Sequence, residues 1–356
     1  MEKILIEQII NSMLVKYNRL SEMIGYIPTK ALNIYIDMYS IVKGLYDRNY
    51  NINNYSSLAS TVINIVAHYK EFFRKENIEI KAFIVYSNNT PLFNKSHVSG
   101  YNYAKEFKFT HNEVISRMIY DNVEIMKLIC PYIKDLYFVP GNYETGVIIS
   151  DLIQRNRCIN NKKFGNANET SNLIISKDPY LYQLVPMYPK TIVLRPKKNE
   201  GNDLSYMLDR RNVLQGYLSE RDGNSKIDIT GLNPALLSLI MSLSSVKERN
   251  IKMMGNISSV LKSIKQGIIE NKIINGYNSN PLIVWNSIDH SKFRFDEQTF
   301  CSRFFAVDIV VQTQEYQKSI DCINAKECLV DLKDPVTMKA INAQYFEKNP
   351  LHFESL

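Results

Sequence analysis

Leu32-Asn-Ile-Tyr-Ile-Asp37 is the stretch on which the fold turns. It is short and rich in β-branched and aromatic residues, it follows Pro28, and it ends on a carboxylate, so it reads as a buried strand with an acid at its carboxyl end. Working outward, the pattern recurs in Ala82-Phe-Ile-Val-Tyr86, Leu136-Tyr-Phe-Val139 closed by Pro140-Gly141, Leu173-Ile-Ile175 and Thr191-Ile-Val-Leu194. Helical spacing fills the gaps over roughly 57–76 and 112–130. A further helix opens near Tyr143-Glu144, with Val147, Ile148, Leu152 and Ile153 on its apolar face. Short apolar strands alternating with helices predict an α/β fold with a mainly parallel sheet flanked by helices. In such sheets chemistry gathers at the carboxyl ends of the strands, where Asp37 and Asp178 both sit.

The flanking segments divide the chain. Residues 1–28 carry Ile4, Ile6, Ile9, Ile10, Met13, Leu14, Tyr17 and Leu20 near helical spacing, an amphipathic helix. The α/β domain spans 29–200. Within it, residues 87–111 form a polar and aromatic arch containing Lys105 and Lys108, and Asn160 to Asn172 reads as a surface loop. Pro196 to Tyr206 reads as a linker into a helical, basic region over 201–270. Residues 271–356 form a C-terminal region of unassigned role, with a strand-like run from Phe304 to Val311.

Composition narrows the function classes. At 356 residues, against about 150 per common domain, the chain has room for a substantial core. It is 45% hydrophobic and 22% charged, which excludes a mainly disordered or fibrous protein. Only 13 residues are Gly, so a long Gly-rich phosphate cradle is not expected. Cys130, Cys158, Cys301, Cys322 and Cys328 form no CxxC pair, and no His stands near a Cys at finger-like spacing; free thiols in a reducing compartment follow, and a zinc site does not. No apolar run approaches the roughly 18 residues of a membrane span. The expectation is a soluble intracellular protein of the cytoplasm with no membrane partner. Abundant Asn, Ile, Lys and Tyr suggest an AT-rich genome such as a phage or virus, which would place it in a host cytoplasm.

The order of these features resembles the flap endonuclease or 5′-nuclease family within the PIN-like superfamily. The residues that carry the resemblance are Ile34-Tyr-Ile-Asp37, the strand near 82–86 with its basic arch, Pro140-Gly-Asn-Tyr-Glu144 opening a helix, and Ile174-Ile-Ser-Lys-Asp178-Pro-Tyr-Leu-Tyr-Gln183. Leu243-Ser-Ser-Val-Lys-Glu-Arg-Asn-Ile-Lys-Met-Met-Gly255-Asn-Ile-Ser-Ser-Val260 matches the loop that, in that family, carries a further Asp into a helix-turn-helix gripping duplex DNA. The resemblance covers roughly residues 30–265. It implies carboxylates that hold two divalent cations for phosphodiester hydrolysis.

Asp37, Glu144 and Asp178 occupy three of the family's acidic positions, as implied metal-holding and catalytic residues. The other acidic positions carry Ser87, Gly146, Tyr180 and Val246. Glu248 stands two residues beyond the last of these, and Asp151 lies two helical turns past Glu144. The remaining trio would hold one Mg2+ or Mn2+ weakly, because Mg2+ makes do with one or two protein carboxylates plus substrate phosphate. Taken singly, each Asp at a strand end also suits a turn or helix cap, and Glu144 suits a helix start.

Charge supplies the binding argument. Between Ser245 and Lys265 stand Lys247, Arg249, Lys252, Lys262 and Lys265 against Glu248 alone, so more than half of the chain's +7 falls in that window. Backbone amides at a helix start after Gly255, with the Ser258 and Ser259 hydroxyls, would suit a phosphate, and Lys105 and Lys108 would meet the strand from the arch. Met253 and Met254 stand where the family pattern has small residues. The leading expectation is a nucleic-acid-binding protein, for DNA rather than RNA, with a depleted metal centre and weak or absent hydrolysis. One alternative is an active Mg2+- or Mn2+-dependent 5′-nuclease. The other is a scaffold that meets protein partners through its N-terminal helix and C-terminal region.

Overall fold

The computed structural model describes residues 30–38, 40, 63–64, 66–71, 77–87, 126–128, 130–141, 143–166, 169–196, 205–222, 227–244, 257–288, 296–314 and 316–318. The N-terminal amphipathic helix, the arch with Lys105 and Lys108, and Val246, Lys247, Glu248, Arg249, Lys252, Met253 and Met254 lie outside the described residues.

All five expected strands form: β1 Ala31–Asp37, β2 Glu79–Ser87, β3 Leu136–Gly141, β4 Thr170–Ile175 and β5 Thr191–Pro196. A sixth, β6 Ser205–Leu208, occupies the end of the stretch read as a linker and pairs antiparallel with β5, while every other pair is parallel. The sheet order is β3-β2-β1-β4-β5-β6. The chain therefore builds outward from β1 on one side, then returns to its other side with β4. This reversal opens a crevice at the carboxyl ends of β1 and β4, where ligands of such sheets bind.

Register explains the buried aromatics. Tyr35 pairs with Phe83 and Phe83 with Tyr137, so the three rings share one face and stack at centroid distances of 5.2 and 5.0 Å. The Tyr35 hydroxyl accepts a hydrogen bond from Asn156 Nδ2 at 3.0 Å, which satisfies a polar atom in the core. Asn156 belongs to helix α1, Thr145–Phe164, which Gly165 closes in the left-handed conformation at φ 72°. The polar stretch from Asn160 is thus the last turn of α1 followed by the start of β4, leaving only a short loop between them.

The other helices are α2 Val213–Asp222, α3 Leu237–Leu243, α4 Ile257–Ile269, α5 Pro281–Trp285 and α6 Glu297–Val307. The strand-like run from Phe304 is in fact the end of α6 and a helical continuation from Ile309. Phe300, Phe304 and Val307 recur at helical spacing and are all buried, and Asp296 caps the helix by accepting from the Thr299 amide at 2.8 Å. Reading from Phe304 onward missed the first turn and so missed the period. Trp285 stacks on Phe300 at 5.3 Å, and one hydrophobic core runs from Leu32 to Tyr316.

Candidate functional site

Asp37, the last residue of β1, is 2% exposed. Its Oδ2 accepts from Ser40 Oγ at 2.6 Å and from Ser176 Oγ at 2.7 Å. Ser176 is brought there because β1 and β4 pair in register up to Ile36 and Ile175. The two hydroxyl oxygens lie 3.2 Å apart, but each has one proton, and both protons go to the carboxylate. The hydroxyls are themselves fixed by backbone amides: Lys177 N donates to Ser40 Oγ at 2.7 Å and Asp178 N to Ser176 Oγ at 3.0 Å. Burial pushes Asp37 up to about 6; the two serine hydroxyls oppose that shift and the nearby Asp178 charge adds to it.

Asp178 follows β4 and is half-buried. Its Oδ1 accepts from the Tyr180 amide at 2.9 Å, capping a 3-10 helix, Pro179–Gln183, with Pro in the first turn. Here the structural role that a single strand-end Asp suggests is present. Glu144 is 3% exposed and stands at the start of α1 without a side-chain capping bond. Asp151 is buried, paired to Arg155 at 2.7 Å and accepting from Gln317 at 2.8 Å.

Gly146 and Tyr180 meet in space. A Cβ built on Gly146 would lie 2.8 Å from Cδ1 and Cε1 of Tyr180 and 3.0 Å from Cδ1 of Ile309. The Tyr180 ring is fully buried and its hydroxyl donates to Gln312 Oε1 at 2.8 Å. An aromatic ring and an aliphatic side chain therefore fill the space beside α1's first turn. Among the described residues no group of three or more His, Cys, Asp or Glu is placed to hold a metal ion, so Asp37, Glu144 and Asp178 do not form a ligand cluster.

In the basic region, α4 buries Ile257, Val260, Leu261 and Ile264 and leaves Ser258, Ser259 and Lys262 exposed. Lys265 is half-buried and pairs with Asp228 at 2.6 Å, which holds the Asp228 carboxyl well below the usual carboxylate range. Sequence reasoning missed Ser40, Ser176, Gln183 and Gln312. The serines stand three residues after Asp37 and immediately after β4, at the carboxyl ends of the two strands that carry the acids, and that spacing was the available signal. Nothing local pointed to Gln312, which lies 132 residues from its partner Tyr180.

No protein-family model matches the sequence, and no curated protein matches it. Solved structures do. The 5′-exonuclease of bacteriophage T5 with zinc ions bound is similar at 9% identity and a TM-score of 0.51, over 80% of this chain and 92% of that one. A T5 protein co-crystallised with metal ions is similar at 10% identity and a TM-score of 0.50, over 80% and 91% of the two chains. With a mostly parallel six-stranded sheet flanked by helices, and with those two matches across four fifths of its length, the chain has a flap endonuclease or 5′-nuclease-like α/β fold.

Proposed function

We propose that this chain is a nucleic-acid-binding protein built on the 5′-nuclease-like fold, with a depleted metal centre and little or no hydrolysis of its own. The observation that carries this is the Tyr180 ring packed on Gly146, two family acid positions turned into one apolar contact. Asp37 supports it: its buried carboxylate is stabilised by two hydroxyls in a place where a metal enzyme would set a cation. A single Mg2+ or Mn2+ held weakly through Asp37 and Asp178 is the most such a site would retain. No helix among the described residues is long and apolar enough to cross a membrane, and we place the protein's action in a cytoplasm, that of a host if the source is viral.

Binding would run through phosphates, on DNA in preference to RNA, along the exposed face of α4 and the basic residues that precede it. Lys105 and Lys108 are assigned to the same strand contact. The domain limits of 28, 200 and 270 stay part of this proposal, as do protein contacts through the N-terminal and C-terminal segments. The test uses the purified chain with a 5′-flap DNA and Mn2+. Binding that weakens linearly with log salt, without cleavage, is the expected outcome. Cleavage abolished by Asp178→Asn would overturn the depleted centre in favour of an active nuclease. Absence of binding at low salt would leave the scaffold reading.

A further inference from the structure

The segments that follow β3 and β4 are packed against by a later part of the chain. α6 ends at Val307, and buried Asp308 turns the backbone into a second helical run over 309–314 and 316–318. Asp308 Oδ1 accepts from the amides of Val310 at 3.0 Å and Val311 at 2.9 Å, capping that run, and from the Tyr277 hydroxyl at 2.9 Å. The direction of the run is thereby set, and successive turns of it reach the candidate site.

Ile309, fully buried, brings Cδ1 to 3.0 Å from where a Cβ on Gly146 would stand. Gln183 Nε2 donates to the Val307 carbonyl at 2.9 Å, while its Oε1 accepts from the Ile309 amide at 3.4 Å. Gln312 Oε1 accepts a hydrogen bond from the Tyr180 hydroxyl, and its Nε2 donates to the Phe305 carbonyl at 2.9 Å. Tyr316 lays its ring on Tyr143 at 4.5 Å, and Gln317 Nε2 donates to Asp151 Oδ1 at 2.8 Å and Gln154 Oε1 at 2.9 Å. The run is thus bonded to both segments that present candidate acids, the start of α1 with Glu144 and the turn after β4 with Asp178. These contacts are of the interior kind: Val307, Ile309 and Thr313 are 0% exposed, as core residues are and as the residues of a loosely laid strap are not.

We infer that residues 307–314 and 316–318 are an internal cover, which closes the crevice so that a phosphodiester does not reach Asp37 and Glu144 in the folded chain. Nucleic acid is met outside the crevice. The cover concerns the crevice of the proposed function and rests on that reading only for where the nucleic acid goes. Its consequence is that the crevice and the cover open together or not at all.

Amide hydrogen exchange tests this on the full chain, with and without a 5′-flap DNA whose binding is followed separately by fluorescence anisotropy. Residues 143–154, 176–183 and 307–314 should all exchange slowly, and bound DNA should change none of them by more than about twofold. The variant Gln312→Ala with Gln317→Ala should speed exchange in 307–314 and 176–183 together by about tenfold, with β1 to β3 unchanged. Three results overturn the cover: 307–314 exchanging like exposed backbone in the unmodified chain, DNA protecting 176–183 with the cover in place, or the variant loosening 307–314 alone. If no DNA binds at low salt, the nucleic-acid reading fails while exchange in the two proteins still decides the cover. If the variant does not fold, the unmodified chain with DNA decides it.

Discussion

Gly146→Ala is the sharpest probe of the packing between α1 and the turn after β4. In an ordinary helix the change is favourable by up to about 1 kcal/mol, because glycine loses more backbone entropy on folding. Gly146 is the second residue of α1, so most of that gain is unavailable in the first turn. The new Cβ would stand 2.8 Å from two ring carbons of Tyr180 and 3.0 Å from Ile309 Cδ1. Ordinary carbon contacts lie at about 3.5–4.0 Å, so the ring would have to move by roughly 0.7 Å or more. It is held at both ends, by the hydroxyl on Gln312 and by the backbone amide on Asp178. Forcing extra volume into such a place costs about 1–3 kcal/mol, which outweighs the helical gain. The net expectation is a loss of about 1–2 kcal/mol, read as a fall of about 1–3 °C in Tm for a chain of this length. Denaturant or thermal unfolding of four proteins measures it: the parent, Gly146→Ala, Tyr180→Leu and the double variant. With the ring gone, alanine should be tolerated, and the cycle should show a coupling of about 1 kcal/mol or more. A Gly146→Ala protein as stable as the parent, or a coupling within about 0.3 kcal/mol of zero, would refute the claim that ring and glycine fill one space.

Other outcomes follow from the same geometry. Burial pushes Asp37 and Asp308 each up to about 6 from 3.8, so the folded chain binds more protons than the unfolded one between those values. Stability from these groups is full below about pH 4 and lost as pH rises through about 6, by about 3 kcal/mol per carboxylate at most; Asp308→Asn should flatten part of that slope in denaturant midpoints between pH 4.5 and 7.5, and an unchanged slope would count against it. Ser176→Ala removes a donor from the buried Asp37 carboxylate and should cost about 1.5–3 kcal/mol while raising the Asp37 pKa followed by carboxyl NMR; a lowered pKa would contradict the hydrogen-bond direction assigned here. Lys262→Glu sits on an exposed face and should leave Tm within about 1 °C, weaken DNA binding across sequences and make its salt dependence shallower; unchanged affinity would remove α4 from the interface.

The five strands were legible because each is a continuous apolar run whose length and flanking breaks leave little choice, as with Ile34-Tyr-Ile before Asp37. β6 was not, because Ser205 to Leu208 is a short edge strand whose partner supplies what its own sequence lacks. Asp37 and Asp178 were legible as residues from their place after strands, and Glu144 only through the family resemblance. Their surroundings were not. Tyr180 reads from the sequence as a residue of the turn after β4, and only its contact with Gly146 shows that two residues 34 positions apart share one packing space. The helical run after Asp308 was misread for a related reason: its signal is a cap and a set of contacts to distant residues, and neither has a period.

Why Asp37 persists without a ligand cluster follows from its environment. A buried carboxylate with no cation and no donors is strongly disfavoured, and replacement by an apolar residue would then be expected to stabilise the chain. Asp37 has two hydroxyl donors, and each of those oxygens accepts an amide from the turn after β4. The carboxylate thus ties β1 to the turn that leads into Asp178 and Tyr180, and removing it would leave one of the two buried hydroxyl protons without an acceptor, since Ser40 and Ser176 can satisfy only one between them at 3.2 Å. Asp37→Ala should therefore cost more than the cavity of the lost atoms alone, about 2–4 kcal/mol, and Asp37→Asn less, because its Oδ1 keeps an acceptor for the two hydroxyls. If instead Asp37→Ala matched or exceeded the parent in urea midpoint, the carboxylate would be a charge kept at a cost to stability, as catalytic carboxylates are, and the case for hydrolysis in this chain would be reopened.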